Sequence, residues 1–164
     1  MSGIALNYQL NILAARKLFN RFQKADTAPL MDDIGQYLVN ATLGRIDKEE
    51  TPDGEKWEPS YRAEREGGKT LQDSGRLRDS YTHNVLSDVS VEIGSNLLYA
   101  AIHHEGGTIT AKDGGNLKFK IGNQWVQKKS VEMPARPALG ISTEDENEIH
   151  AITEDFLQEL ISGH

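Results

Sequence analysis

Apolar residues near the start of the chain recur with a helical period. Tyr8, Ile12, Ala15, Phe19 and Phe22 follow one another at spacings of four, three, four and three, which places them on one face of a helix over about residues 4 to 23. "DTAP" breaks that helix, because Pro29 disfavours helical backbone at the residue before it and Asp26 or Thr27 can bond locally. Leu30, Ile34, Tyr37, Leu38 and Ala41 make a second apolar face, with Asp32 and Asp33 expected in the first turn, where the helix dipole favours negative charge. Residues 1–46 are therefore expected to be two amphipathic helices packed as a pair.

Over residues 47–75 neither helical nor strand periodicity survives, and prolines and glycines interrupt a mostly polar run. A loop of that length is functional or disordered more often than idle. Trp57 and Tyr61 are its anomaly, and each either packs back on the core or waits for a partner. "SGRLRDSY" resumes order as a helical turn. Val89, Val91 and Ile93 then alternate with Ser90 and Glu92 up to Gly94, the signature of a half-buried strand. Leu117, Phe119 and Ile121 alternate with Lys118 and Lys120, and Gly122-Asn123 predicts a hairpin into "QWVQKKSVEM". Pro134 and Pro137 in "MPARPALG" close the sheet region, since they cannot donate to a ladder. Thr143 with Glu146 reads as a capping box, and Ile149, Ile152, Phe156 and Leu160 give the final helix one apolar face.

The expected fold is α+β: two N-terminal amphipathic helices, a mainly antiparallel sheet of about four strands over residues 76–138, and a C-terminal helix in 139–164. One face of the sheet should carry the helices and the other stand exposed or be shared with another copy. A length of 164 residues fits one domain. With no cysteine, disulfides, thiolate metal sites and a cysteine nucleophile are excluded. No basic leader followed by an apolar run is present, nor an uncharged stretch near the ~20 residues of a membrane helix, so a soluble, unprocessed protein is expected.

Charge changes the picture when divided along the chain. It is +1 over residues 1–43, −2 over 44–70, +1 over 71–138 and −7 over 139–164, so the last segment holds an excess equal to the whole net charge of −7. No Lys or Arg follows Arg136, which argues against a reader of phosphates there. The acids form a solvated helix face, or a surface that repels DNA or meets a basic partner.

His103, His104 and Glu105 resemble metal ligands by type, yet adjacent residues diverge on a helix or strand, and a metalloprotease helix spaces its histidines four apart. A structural histidine fits better, although His83 could join from a neighbouring strand. Asp73, Asp79 and Asp88 suggest a nuclease cluster but read more simply as turn and cap residues. There is no nucleophile elbow and no Walker loop, so neither a catalytic residue nor a cofactor is assigned. Arg76 and Arg78, two apart, are expected in salt bridges.

In order along residues 52–142 stand "PDGEKWEPS", "LQDSGRLRDS", "VEIGSNLLYAAIHHEGG" and "MPARPALGIS". This succession resembles the phage virion morphogenesis family, the tail-completion proteins of Mu-like and P2-like phages. Trp57, Leu71, Gly75, Leu77, Ser80, Gly94, Tyr99, Ala100, His103, Gly106, Pro134, Arg136 and Pro137 occupy the motif positions. The resemblance implies a structural part, not an enzyme, that completes the tail or neck so that head and tail can join. It implies a homo-oligomeric ring, hexameric in the particle, with tail tube, terminator or head-completion proteins as neighbours. DNA would thread the ring without sequence-specific contact, and no membrane is involved. Assembly would take place in the host cytoplasm, and the protein would end in the virion tail or neck. Trp57, Tyr61, Arg76 and Arg78 are then the candidates for contacts with neighbours. On that reading Trp57→Ala weakens assembly and spares the fold, whereas Tyr99→Ala or Arg136→Ala lowers stability. The competing readings are a metal-dependent hydrolase or nuclease using His103, His104 and Glu105, and an acidic DNA-mimic binding protein.

Overall fold

In the computed structural model, residues 13–122 and 124–162 are described. Tyr8 and Ile12 of the first helical stripe, and Asn123 of the hairpin signal, lie outside them. Helix α2 (Ala28–Lys48) is the element on which the first strand hairpin and the last helix gather. Pro29 sits in its first turn, where a missing N–H costs nothing, and Asp26 Oδ1 accepts from the Ala28 N–H at 3.0 Å. The helix thus begins early enough that Asp32 and Asp33 fall in its second turn, not in the first as expected. It ends at Glu49, whose left-handed backbone (φ 58°) turns its N–H back to the Arg45 and Ile46 carbonyls. Between these ends Leu30, Ile34, Leu38, Thr42 and Ile46 are buried at spacings of four, with Val39 buried beside Leu38.

Strands β1 (Tyr81–Ser87) and β2 (Ser90–Ser95) form an antiparallel hairpin on α2, with Val91 and Ile93 against Leu30, Ile34 and Leu38. Gly35 makes the close approach possible: a Cβ there would lie 2.5 Å from the His83 ring and 2.8 Å from Val91. Val89, expected inside the strand, lies in the turn before it and is 85% exposed.

Among the described residues the helix paired with α2 is α5 (Thr143–Ser162) and not α1 (Leu13–Lys24). Ile149, Ile152 and Phe156 pack onto the Leu30–Ile34–Leu38 stripe, a pairing between helices about 100 residues apart, while residues 4–12 of the expected first helix lie outside the described residues. Helix α1 (Leu13–Lys24) leans on the end of α5, where Arg21 donates to the Leu160 and Ile161 carbonyls at 3.2 and 3.3 Å. Its Phe19 is 61% exposed. The box that starts α5 lies one residue before the expected Thr143–Glu146 pair. Ser142 Oγ accepts from the Asp145 N–H at 3.1 Å, and Asp145 Oδ2 accepts from the Ser142 N–H at 2.6 Å.

The strands are antiparallel but more divided than one sheet of about four. β1–β2, β3 (Gly107–Thr110) with β6 (Ser130–Met133), and β4 (Leu117–Ile121) with β5 (Gln124–Lys128) are three two-stranded ladders. The last two are one long hairpin broken in the middle. After Ala111 donates to the Lys129 carbonyl at 2.9 Å, a 3-10 turn at Lys112–Gly114 inserts residues on one side only. A one-sided insertion interrupts the pairing and re-aims the outer half. Short helices α3 (Tyr61–Glu66) and α4 (Ala100–Glu105) stand in the segments between.

Candidate functional site

The four sequence motifs, spread over about ninety residues, meet beside the C-terminal half of α2. Trp57, Leu77, Tyr81 and Ala138 close a buried cluster around Ile46, with Leu71 and Ala100 packed against it. Trp57 is 6% exposed, its Nε1–H donates to the Pro137 carbonyl at 3.1 Å, and its backbone N–H donates to the Glu49 carbonyl at 2.9 Å. The indole has no free face to offer a neighbour. Trp57 is therefore a core residue rather than the assembly contact expected from its polar surroundings, because burial of an aromatic this large outweighs the polarity of its loop.

Arg136 is the second anchor. It is 5% exposed, its Nε and Nη2 donate to the Glu58 and Pro59 carbonyls at 2.8 and 3.4 Å, and its backbone N–H donates to the His103 carbonyl at 2.9 Å. One residue, through its side chain and its backbone N–H, thus joins the first, third and fourth motifs. Gly106 (φ 72°) follows α4, and a Cβ on it would stand 2.7 Å from the Ala135 nitrogen. Only glycine fits that turn beside the Pro134–Pro137 exit. The Gly75 carbonyl accepts from the Asp79 N–H at 3.0 Å. Ser80 Oγ donates to the Leu77 carbonyl at 2.6 Å and meets Ser95 Oγ at 2.7 Å, while Gly94 pairs with Thr82.

Tyr61 opens α3, is 47% exposed, and carries the Arg65 guanidinium over its ring at 5.1 Å. Arg78 forks onto Asp47 (Nε–Oδ1 2.9 Å, Nη2–Oδ2 2.8 Å), a hydrogen-bonded pair that holds the Asp47 carboxyl below its usual range and pushes the Arg78 guanidinium up. The head of Arg78 is thereby engaged within the chain. Arg76 is exposed and lines a cleft of about 290 Å³ with Arg62, Asp73, Tyr99, His103 and Arg136.

In that cleft the His103 ring meets Tyr99 edge-on, with centroids 6.0 Å apart. Burial, then the Arg136 charge, pushes the imidazole pKa down. Nδ1 of His103 and Nδ1 of His104 are buried without a partner. His103 is therefore packed, and it is its backbone carbonyl that is hydrogen-bonded. His83 lies elsewhere, 2.8 Å from Asp32. Asp73 faces Arg62 at 3.7 Å, Asp79 faces Arg78 at 3.5 Å, and the Asp88 carbonyl accepts from Thr27 Oγ1. Among the described residues no three His, Asp or Glu side chains gather in a metal-holding group. What the arrangement does is fasten four segments together at one end of the molecule.

Sequence reasoning misses a buried polar network at the α2–α5 junction. Arg45 donates to the Gly140 carbonyl at 2.8 Å and the Ala138 carbonyl at 3.2 Å, and is ion-paired to Asp145. Tyr37 Oη donates to Asp145 Oδ1 at 3.1 Å, and Ser142 Oγ donates to Oδ2 at 2.7 Å. Burial pushes the Asp145 carboxyl up, but the Ser142 bonds and the Arg45 charge outweigh it and hold the pKa below its usual value. Burial, aided by the Asp145 bond, pushes Tyr37 up to about 12. The signal was present in the sequence: Arg45 falls on the apolar stripe seven residues after Leu38 and three after Thr42.

No helix among the described residues is long and apolar enough to cross a membrane. No curated protein and no solved structure matches the chain. Residues 8–158, which contain all four motifs, match the model of the phage virion morphogenesis family; the chain belongs to that family, and its role lies in virion assembly.

Proposed function

We propose that this protein is a structural, non-enzymatic part of the phage tail or neck. It completes the tail so that head and tail can join, as a homo-oligomeric ring, hexameric in the particle, that contacts tail tube, terminator or head-completion proteins while DNA passes through. The observation that carries this reading is the family match over residues 8–158. The chemistry of the site supports it: Trp57, Leu77 and Arg136 spend their side chains on packing and on backbone carbonyls. Such a region preserves a shape, which is what a joining part requires.

The test is deletion of the gene followed by electron microscopy of the lysate. Filled heads and tails that stay separate are the expected result. Normal infectious particles made without the protein would overturn the proposal. For the ring, a particle map with several copies around the axis is expected, and a single copy at the neck would count against it.

A further inference from the structure

Two elements carry opposite charges and, among the described residues, form no ion pair with each other. The β4–β5 ribbon and its flanks hold Lys112, Lys118, Lys120, Lys128 and Lys129 against Asp113. Helix α5 holds seven acids and no Lys or Arg, and of those seven only Asp145 has an ion-pair partner among the described residues. No ion pair within the chain involves those lysines or joins ribbon to helix, among the same residues.

The ribbon packs mainly on itself. Residues opposite each other in an antiparallel ladder share a face. Lys118 with Gln127 and Lys120 with Trp125 therefore make one face, and Leu117, Phe119, Ile121 and Val126 the other. Trp125 is 71% exposed, with the Lys120 ammonium 5.9 Å from its ring centre. On α5 the inner face is taken by α2. Glu144, Glu148 and Asp155, spaced four and seven, line one edge of the remainder, Glu159 shares a cleft with Lys17, Arg21 and Lys24 of α1, and Leu157 (38% exposed) and Ile161 (47%) lie toward the other edge. The dimensions agree: five-residue strands run roughly 17 Å, and Glu144 to Asp155 spans about 17 Å of helix.

We propose that the Lys118–Lys120–Trp125 face of the ribbon docks on the acidic outer edge of α5 in a second copy of this chain, Trp125 lying toward Leu157 and Ile161. With a net charge of −7, two copies repel on average, so copies associate where opposite signs face each other. The same net charge disfavours a polyanion as the ribbon's partner. A contact between unlike surfaces repeats from copy to copy and closes into a ring when the rotation allows. This inference rests on the self-assembly proposed above.

The absence of cysteine makes the test direct. Gln127→Cys in one preparation and Gln158→Cys in another are mixed at the highest soluble concentration under mild oxidation. A mixed disulfide between the two variants is expected, falling with added salt. It should be lost when the first variant also carries K118E and K120E, and return when the second carries E148K and D155K. A yield indifferent to both charge reversals would overturn the proposal. So would oligomers seen by native mass spectrometry without the disulfide, which would leave self-assembly standing. Absence of both would overturn the docking and leave the ring to the particle map. If K118E/K120E abolishes binding to a DNA duplex while oligomers persist unchanged, the ribbon is a nucleic-acid surface and the docking falls.

Discussion

Trp57→Ala separates a core role from an interface role. The side chain is 6% exposed, packed against Ile46, Leu77, Tyr81 and Ala138, and bonded to Pro137. Truncating a buried Trp to Ala costs about 3–5 kcal/mol through lost transfer energy and the cavity left behind. Area gives a similar figure: roughly 150–250 Å² at about 25 cal/mol per Å² is ~4–6 kcal/mol, an upper estimate. Against a total stability of about 5–15 kcal/mol, that is a large share. In a domain of this size each kcal/mol moves the melting temperature by about 2–4 °C, so a drop of about 6–20 °C is expected. Trp57→Phe keeps most of the ring buried and loses the indole N–H, so its cost should stay near 1–2 kcal/mol. Thermal melts by circular dichroism would check both. Emission offers a second readout, because the chain has two tryptophans and the other, Trp125, is 71% exposed: removing Trp57 should leave only a red-shifted, quenchable signal. A Trp57→Ala melt within about 2 °C of wild type, together with failed particle joining, would refute this reasoning and restore the indole as a contact between proteins.

Three other outcomes follow from the geometry. Gly35→Ala should destabilise by about 1–3 kcal/mol in urea titration, although alanine is the better helix former, because the added methyl meets the His83 ring at 2.5 Å. Asp145→Ala should cost about 3–5 kcal/mol by leaving the Arg45 guanidinium buried without its partner. Because Asp145 titrates lower in the folded chain than in the unfolded one, its stabilisation is full above about pH 4 and disappears as pH falls through the folded value. Acid melts of wild type and variant should therefore converge. His103 is also depressed on folding, so its contribution is full above about pH 6.5 and is lost as pH drops through the lower folded value; His103→Gln should flatten that slope.

Features set by local sequence were legible. The stripes of α2 and α5, the alternation in β4 and the extended Pro134–Pro137 exit need only neighbours to be recognised. Tertiary choices were not. Phe19 and Leu30 both advertise apolar faces, and nothing near either says that α2 will choose Ile149 and Phe156 over α1. Trp57 looks stranded because its bonded carbonyl lies 80 residues away. Two capping boxes overlap at the start of α5, and the acid that also reaches Arg45 prevails. The motif positions were informative because several meet hard geometric limits, Gly106 against the Ala135 backbone and Arg136 between two loops.

The bonds that fasten the motif end have a temporal side. Trp57 to Pro137 spans 80 residues, Arg136 to Glu58 spans 78, and Arg45 to Asp145 spans 100. A growing polypeptide exposes Ile46 and Trp57 well before their covers exist, and contacts this distant form late because loop closure precedes any gain. Folding of this end thus waits for translation to pass Asp145. Chains that stall earlier lack these covers and leave an open, protease-sensitive core. The wiring makes closure of this end depend on the whole stretch of chain from Arg45 to Asp145.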